Sequence, residues 1–120
     1  MPFKNLLSRL LEDIPGAVGA IIIDWEGESV DQVTRVDEYD IKVLGAHSGI
    51  VLGMLRDALS RVESGELNEV VIRTEQNKIM MVPLTDEYVL ILQLGQSAIT
   101  ARAAYKMRLC VDELREDFDF

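Results

Sequence analysis

The sequence predicts an α+β fold arranged as a three-layer α/β/α sandwich, with helices on both faces of one sheet. Three observations predict it. The chain reads as helix, two strands, helix, three strands, helix. Three of the strands are apolar on both faces, which demands helical cover on both sides of the sheet. The links between the last three strands are short enough only for hairpins, so these strands run antiparallel.

The first helix runs from about Phe3 to Asp13, with Phe3, Leu6, Leu7, Leu10 and Leu11 at helical spacing to cover a sheet, and Pro15-Gly16 ends it. Ala17 to Asp24 is a nearly continuous apolar run, the pattern of a strand buried on both faces. Glu26-Gly27 makes the turn that follows, and Asp24 before it suits a turn better than a catalytic acid. Ser29 to Val36 alternates weakly through Val30 and Val33, as an edge strand does. Asp37 and Asp40 offer N-caps for a central helix from Ile41 to Val62, and Gly65 offers a C-cap. Glu69 to Thr74, Lys78 to Leu84 and Tyr88 to Leu94 are the three short strands, with Pro83 at a strand end where a missing donor matters least. Ser97 is placed to cap the last helix, whose apolar face is Ile99, Ala103, Met107, Cys110, Val111, Leu114 and Phe118. The acidic tail of Glu116, Asp117 and Asp119 is expected to fray.

With 120 residues, 48% of them hydrophobic and three prolines, residues 1–120 read as a single globular domain able to bury a core without staples. One cysteine, Cys110, precludes an internal disulfide and reads as a buried thiol, in keeping with a reducing compartment. Twelve basic residues against 21 acidic ones give a net charge of −9, which opposes nucleic acid and anionic lipid. The sequence holds no apolar run long enough for a membrane span and no secretory signal pattern, so the expected location is cytoplasmic.

Motifs for chemistry are missing. Neither G-x-x-x-x-G-K-[ST] nor G-x-G-x-x-G occurs, and one histidine with one cysteine cannot build a metal cluster of the usual spacing. The expectation is no catalytic residue, no metal and no cofactor. His47 is formally able to serve a nucleophilic site but sits on the flank of an apolar arc, where a packing or interface role fits better.

The positive signal is the central helix. Gly45, Gly49 and Gly53 recur every four residues, with Ala46 beside them. At about 100° per residue this strip points roughly 160° away from the centre of the helix's apolar arc. Each mid-helix glycine costs about 0.5–1 kcal/mol relative to alanine, so a strip on a face expected to meet water suggests the close approach of another backbone. The alternatives are glycines tolerated at a solvated surface, or a kink. The apolar arc itself spans roughly 200°, wider than one sheet requires. Ile41, Leu44, Val51, Leu55, Leu59 and Val62 are expected to cover the sheet, and Val43, His47, Ile50 and Met54 form a second stripe. An exposed stripe of this kind marks an interface unless another part of the chain covers it.

The strand and turn Gly19-Ala20-Ile21-Ile22-Ile23-Asp24 with Glu26-Gly27, the small-residue helix from Gly45 to Met54, and the strand Tyr88 to Leu94 leading to Gly95 and an Ala/Arg-rich last helix resemble the Roadblock/dynein light-chain family. That family includes the MglB-type regulators of Ras-like GTPases, and the resemblance covers nearly the whole chain. It implies a Roadblock/profilin-like fold: a five-stranded antiparallel sheet with the central helix on one face and the terminal helices on the other. It further implies a dimer in which two sheets join edge to edge and two central helices lie side by side. It also implies a non-enzymatic platform for a small Ras-like GTPase. On that reading Val43, Ala46, His47, Gly49, Ile50, Gly53 and Met54 supply the dimer or partner interface. Arg56 and Arg61, on the same helix, are candidates for contact with the GTPase. An arginine finger given in trans is worth about 10³–10⁵ in rate, although a solvated face also accounts for both residues. A structural adaptor and a small-molecule sensor are the rival functions.

Overall fold

The computed structural model describes residues 3–118. Its elements are α1 (Phe3–Asp13), β1 (Ala17–Asp24), β2 (Ser29–Thr34), α2 (Glu38–Arg61), β3 (Val70–Arg73), β4 (Asn77–Pro83), β5 (Tyr88–Gly95) and α3 (Thr100–Phe118). The strands form one five-stranded sheet in the order β2-β1-β5-β4-β3, and every neighbouring pair is antiparallel. The weakly patterned β2 lies at one edge and the short β3 at the other.

Register sorts the side chains into two cores. Ala20 opposite Leu92 and Ile22 opposite Leu90 point to the side of α1 and α3, where they join Leu7, Leu10, Ile14, Met80, Met107 and Leu114. Ile21 opposite Ile91 and Ile23 opposite Val89 point to the side of α2, where they join Ile41, Leu52 and Met81. This alternation is why β1 and β5 read as continuous apolar runs, and each fully buried Leu or Ile contributes about 1.5–3 kcal/mol. The turn after β1 is fixed by Asp24, whose Oδ1 accepts from the N–H groups of Glu26 and Glu28 at 2.9 Å each. Aspartate at this position is a turn builder.

Helix ends depart from expectation in detail. Asp37 caps α2, its carboxylate accepting from Tyr39 N–H, and Asp40 falls inside the first turn. The C-cap is Val62; Glu63 takes the left-handed conformation, and Gly65, with φ of 95°, lies beyond the end. The last helix begins at Thr100, so Ser97 lies too early to cap it and Ile99 is exposed. The remaining residues of that apolar face, Ala103 to Leu114, are buried as predicted. The side chain of Phe118 and the whole of Asp119 lie outside the described residues.

The larger correction concerns the orientation of α2. Gly45 and Gly49 face the sheet rather than water. A Cβ on Gly45 would lie 2.9 Å from the Ile23 side chain, and one on Gly49 would lie 2.7 Å from the backbone N of Gly27. Gly27 is held in turn: its φ is 88°, and a Cβ there would lie 2.7 Å from the Ala46 carbonyl oxygen. The close approach inferred from the glycines is therefore real for two of them, but it is internal. Gly53 has open space before it. To bring the small residues down, the helix turns by roughly a quarter turn from the centre of its apolar arc, at about 100° per residue. Ile41, Gly45, Ser48, Gly49 and Leu52 are buried, whereas Val51, Leu55 and Val62, expected on the sheet, are exposed.

Candidate interaction surface

The quarter turn of α2 has a consequence for the far side of the helix. The edge of the apolar arc that the sheet no longer takes is presented outward. Val43, Ile50 and Met54 point away from the sheet, with Ile50 62% and Met54 68% exposed. Tyr39 extends the stripe one turn towards the N-terminus, and Val51 and Leu55 widen it. His47 is exposed within the stripe, and its Nδ1 lies 3.0 Å from the Val43 carbonyl oxygen. That oxygen can only accept, so Nδ1 donates the hydrogen. A contiguous apolar stripe on an otherwise charged surface is the pattern of a contact surface.

Ala46 and Gly53 are exposed on one flank of the helix, while Gly49 is buried beneath the β1–β2 turn. The predicted interface residues are thus divided: Val43, Ala46, His47, Ile50, Gly53 and Met54 are open to solvent, and Gly49 serves the chain's own packing. Arg61 pairs with Asp57 one turn back at 3.1 Å. Arg56 lies flat on the Trp25 ring, 4.0 Å from its centroid. Trp25 and Arg56 border an open cleft of about 510 Å³ between the second half of α2, the loop after it and the β4–β5 turn, with Glu63, Glu66 and Asp86 around it; Arg61 does not line it. The Trp25–Arg56 pairing was not anticipated; the single tryptophan beside a tight turn was the available signal.

The same side of the sheet is incompletely covered. α2 lies over β1 and β2, and Val70 and Ile72 of β3 and Ile79 of β4 are only half-buried. β3 is an unpaired edge strand with half-covered apolar residues. Unpaired edges are templates for pairing with another chain.

Among the described residues no group of three or more His, Cys, Asp or Glu could hold a metal ion. The Cys110 thiol is pushed up to about 11, first by burial and then by the Glu113 carboxylate, against the opposing effect of Arg9. It stays protonated at neutral pH and is a packing group. No helix among the described residues is long and apolar enough to cross a membrane.

These features define a small α+β domain with an exposed apolar stripe on its central helix. The chain belongs to the Roadblock/LC7 domain family, whose model matches residues 3–94. Its fold is that of a Roadblock/LC7 domain from Streptomyces avermitilis, at a TM-score of 0.88 and 19% identity over 96% of each chain. It is similarly close to Myxococcus xanthus MglB, at a TM-score of 0.87 and 14% identity over 99% of this chain and 98% of that one. MglC from Myxococcus xanthus aligns at 0.71 and 23% identity over 98% and 99%. No curated protein sequence matches the chain.

Proposed function

We propose that this protein is a non-enzymatic platform of the cytoplasm that associates with a second copy of itself and binds a small Ras-like GTPase, regulating its nucleotide state or its location. The observation that carries the reading is the outward stripe of Val43, His47, Ile50 and Met54 on α2, together with the unpaired edge of β3. Family membership and the likeness to MglB, one form of which has a tetrameric arrangement, support it. In this reading two β3 edges pair and the outer faces of two α2 helices meet. Ala46 and Gly53 permit close approach on the flank. Arg56, pre-set by Trp25, and Arg61 supply contacts to the GTPase.

The test uses the protein as bait in native lysate, once with a non-hydrolysable GTP analogue and once with GDP, with an Ile50→Asp/Met54→Asp variant in parallel. A small GTPase retained in one nucleotide state by the parent and lost with the variant supports the reading. The same captured proteins in both states, with no GTPase among them, would replace it by a purely structural adaptor.

A further inference from the structure

On the opposite face of the sheet, α3 carries a second unpartnered surface, independent of α2. Its outward residues are Arg102, Tyr105, Leu109, Asp112 and Glu116, all exposed, with Tyr105 at 52% and Leu109 at 45%. Their spacing alternates between three and four, the seam of a helix that packs against another helix. The seam is polarised. Arg102 carries positive charge in its first half, and Asp112 and Glu116 carry negative charge in its second.

This order is wrong for an isolated helix. Acidic side chains belong near a helix N-terminus and basic ones near its C-terminus, each favourable by about 0.3–1 kcal/mol; here Arg102 stands in the first turn, and Glu116 and Asp117 stand in the last beside Arg115. Like charges also stand one turn apart, Arg102 with Lys106, Asp112 with Glu116 and Glu113 with Asp117, which weakens a helix further. Arg9 answers Glu113 at 3.0 Å and Arg102 Nε donates to the Asp13 carbonyl oxygen at 3.1 Å, but no ion pair within the described residues involves Arg102, Arg108, Asp112 or Glu116.

A second α3 laid antiparallel would answer the seam's own charges, setting Arg102 against Asp112 and the acidic half against the N-terminal half of the partner helix. The seam is symmetric about Met107. Tyr105 of one copy falls opposite Leu109 of the other, and Arg102 opposite Asp112. The partner's macrodipole runs the opposite way, so each acidic end meets a positive helix end. A two-fold contact requires this kind of self-complementarity, in which residue i meets j and j meets i. We infer that α3 is a self-association surface, occupied by the α3 of a second copy in antiparallel register about Met107. It lies across the sheet from the α2 stripe, so both contacts can be made at once, and pairs joined through α2 can be linked further through α3. A single helix pair along the seam is only about 20 Å long, short of a standard interface, so the association is weak and concentration-dependent.

Sedimentation velocity across a concentration series tests this with Arg102→Glu, Asp112→Arg and the double reversal, each measured well below its own melting temperature because Arg102→Glu also loses the bond to the Asp13 carbonyl. Each single reversal should weaken the concentration-dependent step about tenfold, because a two-fold axis repeats the lost pair and replaces it by repulsion. The double reversal should restore it, and Tyr105→Asp/Leu109→Asp should abolish it. The Ile50→Asp/Met54→Asp background separates the two surfaces, since it retains the α3 step whether or not α2 forms a contact. Single reversals without effect, a double reversal that fails to recover, or a parent that associates no more than the Tyr105→Asp/Leu109→Asp variant would overturn the inference.

Discussion

On one face of the sheet two helices, α1 and α3, bury Phe3, Leu7, Leu10, Leu11, Ile14, Met107 and Leu114 against Ala20, Ile22, Leu90, Leu92 and Leu94. On the other face a single helix covers β1 and β2, leaves β3 and β4 half-covered, and turns Ile50 and Met54 outward. The first face holds the chain together. The second is left incomplete, and a face left incomplete by its own chain is available to another. The difference arises from α2, which uses glycine where α1 and α3 use leucine and methionine. Glycines let it sit close to β1, and that closeness leaves the rest of its apolar arc without a partner.

The largest test of this contrast is a truncation in the closed core. Leu92→Ala should cost about 2–5 kcal/mol in urea unfolding, since Leu92 is fully buried between β1, β4 and the terminal helices. Ile72→Ala, at a half-buried position on the open face, should cost well under half as much. Equal losses would show that the two faces are equally consolidated.

The glycines sharpen the comparison next. Gly49→Leu should destabilise the fold by about 1–3 kcal/mol or more, because its side chain would enter the backbone of Gly27 and Glu26. Gly53→Ala should stabilise it by about 0.5–1 kcal/mol, because the site is open and helical and alanine is the better helix former. Thermal unfolding reads both, and a destabilised Gly53→Ala would mean that this flank is closer packed than it looks.

A last effect is chemical and confined to alkaline pH. Cys110 is raised from 9.0 to about 11 in the folded chain, so the folded form keeps a proton that the unfolded form loses first. Stability should therefore fall as pH rises from 9 towards 11, by at most about 1.4 kcal/mol per pH unit, and Cys110→Ala should flatten that slope. Below pH 9 the slope should be unaffected by the substitution.

Much of the fold was legible in the sequence because strand burial writes itself plainly. Ile21, Ile22 and Ile23 in succession require cover on both sides, and three-residue links such as Glu75-Gln76-Asn77 permit only hairpins. The orientation of α2 was not legible. An apolar arc of about 200° fixes a helix's rotation only loosely, and here close backbone packing decided it. The glycines signalled a near neighbour but not whose backbone it was; the answer lay in Gly27, whose turn conformation brings the β1–β2 hairpin against Ala46 and Gly49. The outward stripe of Val43, Ile50 and Met54 was visible from spacing, whereas the stacking of Arg56 on Trp25 joins residues far apart in sequence and left no local pattern.

The most direct measurement is the mass by light scattering of the parent and of Ile50→Asp/Met54→Asp, in high salt to screen the charged seam of α3, with melting temperatures recorded for both. The account predicts a parent at twice the mass of one chain, a variant at the mass of one chain, and melting of the variant monomer no lower than that of the diluted parent. A parent that is already monomeric, or a variant that keeps the parent's mass, would contradict the claim that the outer face of α2 is where this protein meets its partner.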